Sequence, residues 1–588
     1  MWPFRARTYT YPSEHINGDT FLIKTAGCTI GRMDPFANDI LPYLSEPEPI
    51  RCDGEVQTYV TKIHGHVYLN VNSTAIRNSS LLCCYAGIYR NLSAAIPDDN
   101  IFYSECVPFV NRIPIEKNTS SLRVTCENGY DNVHYVFHEP PPDAVKHAKR
   151  PNVLMIGIDA LSRLNFIRTM PKTVEFCQRN GWIDLKGYNK ILHNTYPNMM
   201  AAMTGKDPNA SMSIGNAKNT FPFEDIDFIW KHFKSRGYTT AYAEDWPLVS
   251  TFNFVGPGFL RPPTDYYPRA YFVAQSTLPE KVFCGLPQCY GPQHVGLGMI
   301  KLIEDFTSAI KNRAGGFGLF WSNSFSHSDL NCPKNLDKPY LRLFERLKRN
   351  GVLRDTVVIF FSDHGFRFGE IVETTTGWLE NRLPFLYIWL PSAFRTRHPK
   401  QYRNLVANAR ALTSPYDLHM TLKHILALHD PTYSMLPSPG CADCKSLLEE
   451  INPARTCSDA GIPPYWCSCS KYIAMPTDDI VATRAAVFCV DDINRSVEGT
   501  NCSQYTLGRT LEAKYFEVAD STIANMFVRV LTVPPAKFEV NLRAGYDERV
   551  GELEFSTISV DRLDRYEPVA WCSPTKDMRR YCHCGAVN

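Results

Sequence analysis

Residues 357–370, VVIFFSDHGFRFGE, restrict the fold of this chain more than any other stretch. The β-branched and aromatic run at its start predicts a strand buried on both faces, as found in a parallel sheet covered by helices. The run then turns polar: Asp363 and His364 fall side by side at the carboxyl end, and Gly365 supplies a sharp exit. The carboxyl edge of an open α/β sheet is where such folds bind ligands. A carboxylate and an imidazole aimed by one turn at a common point are good ligands for a divalent metal. Taken alone, the pair reads more readily as a loop-capping Asp beside a surface histidine.

Similar runs recur. Residues 152–159, NVLMIGID, predict a second buried strand ending in a carboxylate, Asp159, with a helix after it over 171–180. Strands over 239–243, 317–321 and 385–390 alternate with amphipathic helices over 223–235, 295–313, 340–350 and 415–428. This alternation predicts parallel strands joined by crossover helices, hence a doubly wound, mostly parallel α/β domain spanning 146–435. Residues 1–145 read as a β-rich, cysteine-containing domain, closed by the acidic, proline-rich linker EPPPD at 139–143. Residues 436–588 read as a second β-rich, disulfide-stapled domain, with alternating runs at 526–531 and 538–542.

A formal charge of +2 argues against a nucleic-acid surface. Twenty cysteines are far too many for a reducing compartment, and they gather before residue 130 and after residue 440, which predicts stapling of the two ends. Paired cysteines at Cys441/Cys444 and Cys467/Cys469 also suit zinc. N-x-[ST] triplets at Asn72, Asn78, Asn91, Asn118, Asn209, Asn494 and Asn501 favour disulfides and a secretory glycoprotein carrying N-linked glycans. No stretch reaches the roughly 18 apolar residues of a membrane span, and residues 1–24 lack the apolar block of a signal peptide. Secretion, or display on the luminal or extracellular side of a membrane, then calls for an upstream signal or anchor.

Between the two carboxylate-tipped strands lies NTYPNMMAAMTG, 194–205, in which Thr195 opens an apolar helix. A helix N-terminus favours a bound or developing anion; a plain N-cap is the alternative.

The strings GID, TYPNMMAAMTG and FSDHG together resemble the alkaline phosphatase superfamily of phosphatases, nucleotide phosphodiesterases, sulfatases and phosphoethanolamine transferases. NVLMIGIDALSRLNF, MPKTVEF, LKGYNKI, NTYPN, YAEDW, FWSNSFSHSDLN, and SDHGFRFGE with NRLPFLYIWLP resemble a sulfatase-like animal ectodomain family of unknown function within it, over most of residues 20–580. The resemblance implies that Asp159, Thr195, Asp363 and His364 surround a divalent metal, zinc in phosphoryl-transfer members and calcium in sulfatases, with magnesium a further option. A metal there would lower the pKa of the Thr195 hydroxyl and neutralise the substrate, so that displacement forms a phosphothreonine, resolved by water or an acceptor alcohol.

A second metal is implied less firmly. Where phosphatases have Asp-x-x-x-His this chain has Asn323 and His327, and no histidine follows His364 before the next strand, only Glu370 and Glu380. Asn323 is a weaker ligand for a dication than Asp. His327 is expected to touch the substrate oxyanion or protonate the leaving group, with Asp329 beside it. Glu244 and Asp245 read as a further ligand or substrate contact, or as a polar strand end. Asn198, by the same resemblance, would hold a phosphoryl oxygen, and Lys190 and His193 would contact an anion. The C/S-x-P-x-R context of hydrolytic sulfatases is absent around Thr195. The expected activity is therefore phosphodiester cleavage or phospho-group transfer on a phosphoester-bearing glycan, lipid or small molecule. A non-catalytic ectodomain binding a glycan, lipid or protein is the rival reading, and a sulfatase a more distant one.

Overall fold

The computed structural model describes residues 20–72, 81–139, 150–207, 223–311, 313–469, 473–517, 523–547, 552–566, 568–575 and 577–585. Its centre is a six-stranded sheet in the order Ile183–Asp184, Leu386–Trp389, Thr356–Phe361, Asn152–Ile158, Gly316–Ser322, Thr239–Glu244. The last four strands run parallel. Leu386–Trp389 runs antiparallel to its neighbour, as does the short strand beyond it, so the sheet is mixed with a parallel core.

The two central strands show why apolar runs without alternation were needed. Leu154, Ile156 and Ile158 enter the core on one face together with Val358 and Phe360. Val153 and Met155 enter the core on the other, with Val357, Ile359 and Phe361. Each such side chain contributes roughly 1.5–3 kcal/mol on burial, so a polar residue on either face would be strongly selected against by the packing. Gly157 is the exception in size for a physical reason: a Cβ there would lie 1.9 Å from the Trp321 ring on the adjacent strand.

Helices Pro171–Arg179, Val295–Ala309, Asp337–Arg349 and Pro415–Ala427 fall where periodicity placed them, the second ending four residues early. The helix expected over 223–235 is formed only over Ile229–Ser235; its first turns are replaced by bends.

The N-terminal strands form three antiparallel sheets, and Val133, Tyr135 and Phe137 share the core that contains Leu154 and Phe360. The C-terminal sheet runs Ile473–Met475, Thr506–Glu517, Ile523–Val533, Lys537–Asp547, Glu552–Arg562, each pair antiparallel. One face, through Met526, Val528 and Val530, packs on a helix over Ile480–Val497 that the sequence reading did not anticipate. The other face meets the central domain: Phe527 joins the cluster containing Tyr416 and Trp466, and the Arg529 guanidinium donates to the carbonyls of Val372 and Glu373.

Nine disulfides are formed among the described residues. Stapling is not confined to the two ends. Cys28–Cys469 joins them across 441 residues, Cys52–Cys289 ties the N-terminal part to the central domain, and Cys284–Cys332 lies within that domain. Zinc is excluded at the paired cysteines, since Cys441 bonds Cys444 and Cys467 bonds Cys457. Cys177 and Cys489 are buried free thiols, the latter in the helix of the C-terminal domain. Such a disulfide content belongs to an oxidising compartment. Among the described residues no helix is long and apolar enough to cross a membrane.

Of the seven sequons, Asn118 and Asn501 are exposed and Asn72 and Asn91 half-buried, while Asn78 and Asn209 lie outside the described residues, as does the linker from residue 140. Asn494 lies within the helix Ile480–Val497, where its side chain brackets the backbone of Tyr505 at 2.7 and 2.8 Å, an arrangement that disfavours a glycan there.

Candidate active site

The carboxyl ends of the four parallel strands deliver Asp363 and His364, Asp159, Asn323, and Glu244 and Asp245 to one rim. The helix Thr195–Thr204 points its N-terminus at this rim, with Asn194 in the N-cap position and Thr195 as the first helical residue. Thr195 is therefore not an N-cap. Its hydroxyl lies 3.2 Å from Asp159 Oδ1, to which it donates, and 3.5 Å from His364 Nε2. His364 Nε2 is in turn 3.6 Å from Asp159 Oδ1 and 3.2 Å from Asp363 Oδ2. Three segments far apart in the chain thus converge within one coordination sphere's reach.

Local structure fixes each group. Asp363 Oδ1 accepts from the Ala160 amide at 3.2 Å and from the Ser362 hydroxyl at 3.3 Å. Ala160 makes that bond from a left-handed conformation, φ +55°, a strain of order 1–3 kcal/mol that persists only where surrounding structure imposes it. His364 Nδ1 donates to the Gly365 carbonyl at 2.8 Å, which leaves the Nε2 lone pair facing the two carboxylates. Gly365 is required by close approach rather than by φ, because a Cβ would lie 2.1 Å from the Glu380 carbonyl oxygen.

These residues fit a divalent cation. Asp159 Oδ2 and Asp363 Oδ2 are buried and have no hydrogen-bond partner, an expensive state for a carboxylate unless a cation accepts it. One atom from each of Asp159, Asp363 and His364 lies within 4.8 Å of the others; ligands at ~2 Å from a shared ion sit roughly 3–4 Å apart. Burial, then the charge of Asp363, pushes the Asp159 carboxyl well up. Burial pushes Asp363 up to about 6 against the opposing bonds from Thr195 and Ala160. Burial, Lys190 and Arg367 hold the His364 imidazole neutral and ready to donate its lone pair. The mixed oxygen and imidazole set suits zinc better than calcium or magnesium, which prefer oxygen alone.

The neighbouring strand ends are arranged differently. Asn323 donates from Nδ2 to Glu244 Oε1 at 2.9 Å and accepts from the Trp321 indole at 3.0 Å. Glu244 also accepts from the Thr251 amide and hydroxyl and from Tyr242. Asp245 accepts from the Asn323 and Ser324 amides and the Ser324 hydroxyl. Asn323 is thus engaged at both ends of its amide, and Glu244 and Asp245 are the polar strand end that clamps residues 323 and 324. The reason is burial: with water excluded, these groups must satisfy one another.

His327 stands apart from the three-residue group. Its ring packs between Trp246 and Phe368, with centroids at 5.5 and 5.9 Å, and Nδ1 lies 3.2 Å from Ser328 Oγ. Burial, Arg367 and His364 push it down to about 3, so it is a neutral hydrogen-bonding group and not a stored proton for a leaving group. Asp329 caps the following turn through the amides of Asn331 and Cys332.

Asn198 corrects the sequence expectation most clearly. Oδ1 accepts from the Ile191 and Leu192 amides and Nδ2 donates to the Leu192 and Asn194 carbonyls. All its capacity is engaged in shaping the loop that leads into Thr195, and no part is left for a phosphoryl oxygen. Glu380 likewise is a buried structural group, paired with Arg168 and accepting from Ser162. Lys190 and His193 line a cavity at the seam with the C-terminal sheet, together with Arg367 and Arg382.

Residues 45–512 match the family described as Protein of unknown function (DUF229). The chain belongs to this family. No curated protein matches it. Among solved structures it is similar to a protein in the alkaline phosphatase superfamily from Vibrio parahaemolyticus, at 14% identity over 74% of this chain and 86% of that one, TM-score 0.36. It is similar to the lipoteichoic acid synthase LtaP from Listeria monocytogenes, at 13% identity over 50% of this chain and 76% of that one, TM-score 0.36. It is also similar to the soluble domain of lipooligosaccharide phosphoethanolamine transferase A from Neisseria meningitidis, at 11% identity over 51% and 94%, TM-score 0.33. Likeness at this level carries no inference about activity.

Several residues that shape this DUF229 site had escaped the sequence reading. Arg367 was within reach of it, a cation three residues after His364 in the same motif. Ala160, Ser362 and Arg382 carried no signal, since their roles arise from φ and from partners distant in the chain, Leu161 for Ser362 and Tyr465 for Arg382.

Proposed function

We propose that the chain is a metal-dependent phosphoryl-transfer enzyme, acting on a luminal or extracellular phosphodiester through Thr195 and a single bound zinc held by Asp159, Asp363 and His364. The observation that carries this reading is the half-exposed Thr195 hydroxyl set 3.2 Å from Asp159 Oδ1 and 3.5 Å from His364 Nε2, beside two buried carboxylate oxygens with no partner. The ion, when bound, supplies positive charge that lowers the hydroxyl pKa and polarises the phosphorus–oxygen bonds.

The chain's own residues do the rest. Asp159 accepts the Thr195 proton; the freed oxygen forms a bond to phosphorus as the ester P–O bond on the opposite side breaks, and the departing alkoxide takes its proton from water. The helix Thr195–Thr204 offers the positive end of its dipole to the anion. His327, neutral and walled by Trp246 and Phe368, is placed as a hydrogen-bond donor to substrate oxygen. The engagement of Asn323 by Glu244 and Trp321 favours one metal over two, and with it transfer to an alcohol or diester cleavage over monoester hydrolysis.

The purified chain is expected to turn over a bis-aryl phosphodiester faster than an aryl sulfate, to lose activity to a chelator, and to fall to background on Thr195→Ala. Absence of turnover across a phosphoester panel, with one metal still bound, would move the chain to the glycan-, lipid- or protein-binding reading. N-linked glycans on the exposed Asn118 and Asn501 would accord with secretion or membrane tethering.

A further inference from the structure

A cavity of about 30 Å³ lies where the loop after His364 and the segment before Thr195 meet the C-terminal sheet. One water needs roughly 10–15 Å³, so the space suits a group the size of one tetrahedral oxyanion or a carboxylate. Its walls carry more cationic than anionic charge. Lys190, fully buried, is held by Asn381 and by the Trp466 ring at 4.0 Å. Arg382, 2% exposed, lies 3.7 Å over Trp378 and 4.6 Å over Tyr465 and donates only to the carbonyls of Tyr465 and Trp378. Arg367 rests on Phe368 at 4.2 Å. Arg562 is paired with Asp564. Of the two carboxylates in the lining, Glu539 is engaged by Arg529 and Tyr465 and lies within charge reach of Arg382, and Asp561 faces Lys190, Arg367 and Arg580. Lys190, Arg367 and Arg382 thus share two buried carboxylates, one of them already paired with Arg529, so their positive charge is only partly compensated.

The cavity adjoins the reacting groups. Lys190 and His193 lead directly into Thr195, and Arg367 is close enough to His364 and Asp159 to act on both through charge. We propose, building on the phosphodiester reading above, that this cavity receives a second anionic group of the substrate, a phosphate, sulfate or carboxylate carried near the scissile ester. The C-terminal domain, which contributes Asp561 and Arg562 to the lining, is then part of substrate selection.

Inorganic phosphate titrated calorimetrically into the full chain tests the cavity without requiring turnover. Binding is expected to persist in Asp363→Asn, which disables the metal position, and to weaken about tenfold or more in Arg367→Gln and Lys190→Gln, each losing a charge-assisted contact. Circular dichroism checks the fold of the buried-lysine variant, while Arg367, half-exposed, is the variant expected to fold in any case. Phosphate binding that vanishes in Asp363→Asn and ignores Arg367→Gln would place the anion on the metal and overturn the proposal. A matched pair of aryl phosphodiesters, with and without a carboxylate on the alcohol, separates a substrate group from a free anion. The carboxylate is expected to lower KM about tenfold, with the preference erased by Arg367→Gln; equal KM values would show that the cavity serves a free anion and sink the substrate assignment. A chain inert toward both esters yet binding phosphate as described would retain the cavity and lose the phosphodiesterase reading alone.

Discussion

Two stretches of the same rim, one around Asp159 and Asp363 and the other around Glu244 and Asp245, hold two buried carboxylates each, at the ends of parallel strands in one sheet. They differ in what surrounds the oxygens. At the first, each carboxylate keeps one oxygen without a partner, and a histidine lone pair faces both. At the second, Glu244 and Asp245 are met by amides, hydroxyls and the Asn323 side chain. Residue type and burial are therefore shared, and the availability of lone pairs separates a cation site from a clamp. The clamp is useful to the site: it sets residues 323 and 324, from which His327 follows.

The contrast can be broken by experiment, most severely at the nucleophile. Thr195→Ala is expected to lower phosphodiester turnover by roughly a thousandfold or more while elemental analysis still finds one metal per chain; Asp363→Asn should lose both. Turnover that survives in the alanine variant would leave the first group a binding site only. The next largest effect is expected from Asn323→Asp. A third buried carboxylate beside Glu244 and Asp245 should destabilise the protein by about 3–5 kcal/mol in urea titration, with metal content unchanged. A variant that instead takes up a second zinc and holds its stability would show that only the amide keeps the second group closed.

Asp245 gives a pH test. Burial pushes its carboxyl up to about 7 against the bonds from Asn323 and Ser324, whereas the unfolded value is about 3.9. The folded chain therefore holds the proton more tightly. The resulting stabilisation is complete below about pH 4 and is lost as pH rises through 7, by roughly 4 kcal/mol at 1.36 kcal/mol per unit. Urea midpoints measured between pH 4 and 8 should fall less in Asp245→Asn than in the parent; parallel profiles would contradict the burial argument. The smallest effect is expected at His327. Glutamine keeps a donor but not the packing on Trp246 and Phe368, and kcat/KM should drop about tenfold, near 1.4 kcal/mol, without a shift in metal content.

Legibility from sequence followed the range of the interactions involved. The buried strands were readable because residues with cores on both faces tolerate no polar member, and a pair such as Asp363 and His364 stands out against that background. The helix Ile480–Val497 was readable in principle, since Ala482, Ala485, Ala486, Cys489, Val490 and Ile493 recur at helical spacing on its buried face. Asn198 and Asn323 could not be assigned this way. An amide that holds an anion and an amide that closes a loop have the same letter, and only the positions of Ile191, Leu192, Glu244 and Trp321 distinguish them.

Hydrophobic patterning and the polar residues that interrupt it were enough to give the layered α/β core and a rim with Asp159, Asp363 and His364 at strand ends, because those features depend on neighbours a few residues away along the chain. That these three and Thr195 belong to one site was implied only by the family resemblance. Which oxygens stay without a partner, which cysteines join across 441 residues, and which cations from the central domain meet Asp561 of the C-terminal sheet were decided only by the tertiary structure. Hydrogen-bond satisfaction and charge balance are properties of space, and contacts between distant segments leave no periodic trace in the order of residues.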